Sequence, residues 1–372
     1  MRIGVEAYFN LDRKTGIANY TMRLIEGLKK AAAQAENIEI VEYRPNENSV
    51  FNFSKIQNGI LRKIIYFKWL NIVMPFLAAK DKIDVLISPN YVRPYFLPCK
   101  SVAVFHDANM FATPELFDST NRLFRKMVEY SAKRADAVIT PSEDAKKEAA
   151  EYLGIPQKKI FCVHHGTDER FFQKIPERRI LEFKKANNLP ENTFLCIGTV
   201  EKRKNLESVF RAMKTLSDKG VDCVLAVVGK DGFGAHEIRQ TAKARGLAEK
   251  VKFFGYASDH DLPLFYLSAK AFVYVSHYEG FGLPLLEAMA SGTPVIAANS
   301  TSIPEVCGNA AVLVDGGNPE EIASAMEKIL KNAKLRKSLS EKGVARAKTF
   351  SWDECARKTI EAAKRALASG QK

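Results

Sequence analysis

The 372-residue sequence predicts an α/β protein made of two doubly wound units. Three observations carry that expectation. The chain is longer than one core comfortably fills. Two separate series of short apolar runs alternate with helical stretches, the pattern of parallel strands covered on both faces. A charged stretch over 169–190, "ERFFQKIPERRILEFKKANNLP", stands between the two series and reads as a linker with a short helix.

The first series opens with "MRIGVEAY", a strand, and a helix over Tyr20 to Lys30 with Met22, Leu24, Ile25 and Leu28 as its apolar positions. "IDVLISP" (83–89), "SVAVFHD" (101–107), "DAVITPS" (136–142) and "IFCVHHG" (160–166) are short, apolar and bounded by turn residues, as buried parallel strands are. The second series has strands at 193–199, 223–229, 251–256, 271–276, 293–298 and 310–315, with helices starting near Asn205, Ala235, Asp259, Pro284 and Asn318. Ligands of such sheets gather beyond the carboxyl ends of the strands, so a cleft between the two units is the expected site.

Composition narrows the class. Hydrophobic residues at 46% and charged residues at 27% describe an ordinary soluble globular chain. No apolar run reaches the roughly 18 residues of a membrane-spanning helix, and "MRIGVEAYFN" lacks the pattern of a secretory signal. The six cysteines are scattered without a CxxC pair, which argues against a disulfide framework or a zinc site and for a reducing cytoplasm. The net charge of +13 points to an anionic partner, though not to nucleic acid. Residues 51–100 hold eight bases against two acids, with no acid between Phe53 and Lys80. Ile56, Ile60, Leu61, Ile64, Ile65, Phe67, Trp69 and Leu70 interleave with those bases. Segment 53–80 therefore suits an anionic membrane surface; a core helix with a solvated basic edge is the alternative.

Several strand ends carry chemistry. Gly16, between the first strand and helix, would let backbone approach an anion at the helix N-terminus, or is simply a turn glycine. His106 ends a strand, where it would face a ligand hydroxyl or phosphate, or cap the strand together with Asp107. In "GTVEKRKNLESVF", Lys202, Arg203 and Lys204 lie between a strand and a helix, a place that suits a diphosphate. The loops at Gly229–Lys230 and at Tyr256 are where contacts to a nucleotide base would arise. Most telling is "HYEGFGLPLLEAMASGTPVI", residues 277–296. Pro284 fits a first helical position and Gly292 the stop, so Glu279 lies in the loop and Glu287 about one turn into the helix. The amides of Gly282, Leu283 and Leu285 point outward at that N-terminus. Two carboxylates at two depths, with bare amides between them, fit a ligand with a hydroxyl-rich ring at each end and a diphosphate in the middle: a nucleotide sugar.

These stretches resemble the retaining glycosyltransferases of family 4. "MRIGVEAYFNLDRKTGIANYTMRLIEGL", "FHDANMF", "RADAVITPSEDAKKEAAEYLGI", "HHGTD" and "GTVEKRKNL" are similar to successive segments of that family, and the Glu279–Glu287 spacing followed by "GTPV" is its most specific motif. Two positions depart from it: His165 stands where an asparagine is frequent, and Thr199 where an arginine often follows the glycine. The resemblance implies the GT-B fold: two Rossmann-like domains facing a central cleft. Residues 1–175 would bind the acceptor, 190–350 the donor, and 351–372 would form a helix crossing back to the first domain. It further implies donor contacts from Gly16, Gly229, Lys230, Tyr256, Glu279, Gly280, Phe281, Gly282, Leu283 and Glu287, with His106, Arg203, Lys204 and Glu279 at the reacting end. No cofactor and no metal are expected, as no DxD motif stands at the strand end where a metal would sit. The implied reaction passes a hexose, with mannose from GDP-mannose favoured, to a glycan or lipid-linked acceptor in cell-surface polysaccharide (lipopolysaccharide) synthesis, in the cytoplasm or peripherally at the inner face of the plasma membrane. A nucleotide-sugar epimerase on the same fold and a non-catalytic nucleotide-sugar binding protein are the alternatives.

Overall fold

The computed structural model describes residues 1–8, 16–45, 49–51, 59–112 and 122–369. Residues 53–58 of the basic apolar segment and Arg13–Thr15 ahead of Gly16 lie outside the described residues. The chain divides into two units, Met1–Gly166 with Ser351–Lys372, and Thr167–Phe350.

In the first unit six parallel strands form one sheet: β1 (Arg2–Glu6), β2 (Glu39–Tyr43), β3 (Val85–Ser88), β4 (Lys100–Val104), β5 (Ala137–Thr140) and β6 (Ile160–Cys162). Their order is β2-β1-β3-β4-β5-β6. The central strands are continuous runs of Val, Ile, Leu and Ala because helices cover both faces. Only β2, "EIVEY", was not anticipated. It is an edge strand with one side partly exposed, and its two glutamates break the apolar run that marked the others. The first helix, Gly16–Ala33, is longer than expected at both ends. It lies against the C-terminal helix Trp352–Ala368, which joins this unit's core through Cys355, Ala356, Ile360 and Ala363. Glycine makes the approach close: a Cβ at Gly27 would stand 2.9 Å from the Trp352 carbonyl oxygen.

The second unit repeats the plan with β7 (Thr193–Ile197), β8 (Val224–Val228), β9 (Val251–Gly255), β10 (Ala271–Tyr274), β11 (Val295–Ala298) and β12 (Ala311–Val314), all parallel and ordered β12-β11-β10-β7-β8-β9. All six coincide with expected strands. Helices begin at Leu206, Ala235, Leu262, Leu283 and Pro319. The unit starts at Thr167, earlier than the expected boundaries, and takes in the charged stretch that read as a linker. The apolar residues scattered there explain why. Phe171 is buried in the second core, and Phe183, on the helix Glu177–Ala186, packs edge-on against Phe265 at 4.9 Å.

The strand order sets the functional geography. From β7 the chain winds through β8 to β9 on one side, then returns to β10 and winds through β11 to β12 on the other. The carboxyl ends of β7 and β10 are therefore the switch point of this sheet, where diverging loops leave a crevice.

Candidate functional site in the second unit

At the end of β7 the chain passes through Gly198, at φ +142°, into a 3₁₀ turn over Lys202–Lys204. Asn205 closes that turn in the left-handed region, at φ +54°. A non-glycine residue holds this conformation only when its surroundings enforce it. Here its buried side-chain amide donates to the Val275 carbonyl at 3.0 Å and the Gly316 carbonyl at 2.7 Å. The His277 amide donates to the Arg203 carbonyl at 2.9 Å. These bonds tie the loop after β7 to the loop after β10.

Three charged side chains meet between those loops. Lys204 Nζ lies 2.6 Å from Glu279 Oε1, and Arg203 Nη1 lies 3.0 Å from Glu279 Oε2. Lys204 also donates to the Tyr274 hydroxyl at 3.3 Å and sits 5.0 Å above that ring's centroid. Arg203 donates to Glu201 through Nε and Nη2, and to the Tyr278 carbonyl through Nη1. Glu279 is only 8% exposed, and its carbonyl accepts from the buried Ser302 hydroxyl at 2.8 Å. Burial alone would raise its pKa. The Arg203 and Lys204 charges outweigh burial and hold the carboxyl at about 2, so it is ionised throughout the physiological range. Burial lowers the Lys204 pKa, and the facing Glu279 offsets part of that effect.

Glu287 sits one turn along the helix Leu283–Ala290 in the opposite environment. The Tyr266 hydroxyl donates to it at 2.8 Å. Burial pushes its carboxyl up to about 7, with Tyr266 and Arg170 restraining the rise. Gly282, at φ +101°, caps this helix and Pro284 occupies its first turn. Among the described residues the amides of Gly282 and Leu283 donate to no carbonyl or side chain, whereas the Leu285 amide, expected to face outward, donates to the Gly282 carbonyl at 2.9 Å.

The remaining expected site residues divide. Gly280 is buried in the same loop, and the Phe281 ring is core, packed edge-on against Phe350 at 5.8 Å, so only its backbone belongs to the site. Gly229, at φ +151°, has a reason that needs no ligand: a Cβ there would lie 1.9 Å from the Gly198 carbonyl oxygen. Its amide donates to the Gly255 carbonyl at 2.7 Å, while Lys230 and Tyr256 are exposed near the same strand ends. Gly16 and His106 belong to the first unit. Gly16 is the exposed first residue of its helix, and a Cβ there would meet none of the described residues within 4 Å. His106 is buried, with Nε2 2.7 Å from the Pro89 carbonyl oxygen. That acceptor takes the Nε2 proton, so donation to a ligand from that nitrogen, as anticipated for His106, is already committed to backbone. Burial also lowers its pKa to about 4, leaving the ring neutral.

Sequence reasoning passed over Glu201, Asn205, Tyr266, Tyr274 and Ser302. Asn205 stands where a helix start was read, and its buried amide spans two strand ends that are far apart in sequence.

Comparison with known proteins identifies the family and the fold. Residues 14–171 match the family model "Glycosyltransferase Family 4", and residues 177–346 match "Glycosyl transferases group 1". The chain is a glycosyltransferase of these families. It is 29% identical to O-antigen chain mannosyltransferase B of Escherichia coli over 94% of this chain and 96% of that one. It is 27% identical to O-antigen chain mannosyltransferase RfbU of Salmonella typhimurium, over 85% and 87%. Sucrose-phosphate synthase of Thermosynechococcus elongatus superposes with a TM-score of 0.77 at 19% identity, covering 99% of this chain and 100% of that one. The glycosyltransferase thus has the GT-B fold, two doubly wound sheets in one chain.

The raised Glu287 pKa makes a stability prediction. An ordinary glutamate titrates near 4.5 and this one near 7, so between those values the folded enzyme binds more protons than the unfolded chain. Stability from this group therefore falls as pH rises from about 4.5 through 7. Glu287→Gln should be the more stable protein at pH 8 by about 1–3 kcal/mol, with the gap closing toward pH 5. Unfolding of both proteins across that range checks it; a gap independent of pH contradicts it.

Proposed function

We propose that this glycosyltransferase passes a hexosyl group, mannose from GDP-mannose foremost, to a glycan or lipid-linked acceptor in cell-surface polysaccharide synthesis, with retention of configuration and without a metal ion. The observation that carries the reading is the convergence of Arg203, Lys204 and Glu279 at the switch point of the second sheet, with the bare amides of Gly282 and Leu283 and the second carboxyl of Glu287 beyond it. The mannose assignment is supported by the O-antigen mannosyltransferases, which match over nearly their whole lengths.

The chemistry follows from charge. As the bond from the sugar's anomeric carbon to the diphosphate oxygen breaks, its electron pair goes to the diphosphate. Arg203, Lys204 and the helix amides stabilise that charge more in the transition state than in the ground state. The acceptor hydroxyl forms the new bond from the same face and its proton passes to the departing phosphate oxygen. Glu279 accepts hydrogen bonds from the sugar and Glu287 from the ribose. Cations fixed on a short turn supply the role a divalent ion would otherwise fill.

The acceptor would be presented at an anionic membrane surface. The helices Gly59–Lys68 and Met74–Lys80 join through a five-residue π turn, Trp69–Val73, into one continuous stretch. Trp69, Leu70, Met74 and Ala78 face the core, whereas Leu61, Ile64, Phe67, Ile72 and Phe76 are exposed. A π turn takes about one extra residue per turn, so the five-residue step from Phe67 to Ile72 stays in line with its neighbours and the exposed apolar stripe continues along one side. Lys63, Lys68 and Lys80 are exposed on the same stretch, the composition of an interfacial helix. No helix of the described residues is long and apolar enough to cross a membrane.

Three experiments test the reading. Glu287→Ala should weaken GDP-mannose binding by about 1–3 kcal/mol, as loss of a hydrogen bond to a charged group does; unchanged donor affinity contradicts the ribose assignment. Transfer of labelled mannose to an acceptor supports transferase action; C2 inversion of the donor without acceptor would favour an epimerase, and neither reaction would favour a binding protein. Separately, the enzyme should sediment with phosphatidylglycerol vesicles at low salt, and a Phe67→Ser, Ile72→Ser, Phe76→Ser variant should lose most of that binding. Indifference of the wild-type enzyme to such vesicles would remove the membrane assignment and leave the transfer reaction standing.

A further inference from the structure

We infer that Glu279 is a resident counter-anion that the diphosphate of the donor displaces, and that its return to Arg203 and Lys204 drives the nucleoside diphosphate product out. The inference rests on the reading that the diphosphate binds at these two cations.

The two cations already have partners within the protein. Lys204 and Arg203 are both in ion-pair contact with Glu279, and Arg203 also holds Glu201. Two cations thus face two carboxylates in a pocket where Lys204 and Glu279 side chains are 13% and 10% exposed. Charges so buried are strongly coupled, because little solvent screens them. A diphosphate adds at least two negative charges. If the Glu279 carboxylate kept its place, the ligand would enter against an ionised neighbour that already occupies its cations.

The backbone shows which part has to give. The Glu279 carbonyl is fixed by Ser302, and the Arg203 carbonyl by the His277 amide. Both loops are thereby anchored, which leaves the Glu279 side chain to exchange partners. Its oxygens exchange Lys204 and Arg203 for hydroxyls of the transferable sugar, which are donors a carboxylate accepts from. An intact donor therefore supplies both halves of the exchange: phosphates for the cations and hydroxyls for the carboxylate. Once the hexosyl group has left, the product brings phosphates alone. Glu279 then has no substitute partner, and its competition for Arg203 and Lys204 weakens the bare diphosphate. The protein discriminates substrate from product with a single internal charge, and turnover benefits because product release is a common limit on rate.

Neutralising that charge isolates the effect. Glu279→Gln keeps the size and the ability to meet hydroxyls but no longer competes for cations. Calorimetric titration of GDP, UDP and inorganic pyrophosphate against wild type and Glu279→Gln should show the bare diphosphate bound about tenfold or more tightly by the variant. GDP-mannose should gain far less, so the preference for intact donor over bare diphosphate shrinks. Glu279→Asp, which retains the charge, should resemble wild type and serves as the control for folding at this position. Unchanged or weaker binding of the bare diphosphate in Glu279→Gln, or an Asp variant that behaves like Gln, overturns the inference. Binding in wild type that Lys204→Met leaves unaltered, or no binding by either protein, overturns the underlying diphosphate assignment instead.

Discussion

The contact on which the second unit's site depends is the carboxylate of Glu279 held between Lys204 and Arg203. A carboxylate this deeply placed stays ionised only beside cations, and the cations keep their positions only on a rigid turn. That turn requires a left-handed residue at Asn205, whose amide bridges the ends of β10 and β12, and a left-handed Gly198 that leaves room for the Lys204 chain. The same crowding fixes glycine at 229, where the end of β8 passes against Gly198. Backbone geometry at the ends of β7, β8, β10 and β12 thus holds one ion triad at the switch point of the sheet.

The two glutamates of the Glu279–Glu287 motif differ because their neighbours differ. Glu279 meets two cations and is held near 2; Glu287 meets a phenol and a helix turn and rises to about 7. One is a fixed charge at every physiological pH, and the other changes ionisation within that range. Such a pair, with bare helix amides between them, is in keeping with the proposed grip on the two hydroxylated ends of one nucleotide sugar. In the first unit His106 is buried, neutral and bonded to the Pro89 carbonyl.

Much of this was legible in the chain because buried parallel strands are written as unbroken apolar runs. Eleven of the twelve strands announce themselves that way, and Gly–x–Gly before Pro284 marks the loop-to-helix turn that carries both glutamates. What stayed hidden has physical causes. The edge strand β2 carries glutamates because one side is not covered. The stretch 169–190 looks like a linker by charge, yet Phe171 and Phe183 bind it to the second core, and its apolar residues are scattered among too many charges to read as a strand. Asn205, Tyr266 and Ser302 act through contacts that are distant in sequence, and no local pattern reports them. Gly229 was read as a ligand contact, whereas its conformation answers first to the neighbouring strand end.

The proposed transfer requires the Arg203–Lys204 turn to receive the diphosphate of a nucleotide sugar. The most direct measurement is a calorimetric titration of GDP-mannose into the wild-type enzyme and into the Arg203→Met, Lys204→Met double variant, with unfolding monitored to confirm that both are folded. Saturable one-to-one binding by wild type, lost by at least about a hundredfold in the double variant, is the result expected for two charge-assisted contacts. Equal affinity in the two folded proteins would show that the diphosphate lies elsewhere and would contradict the site described for this glycosyltransferase.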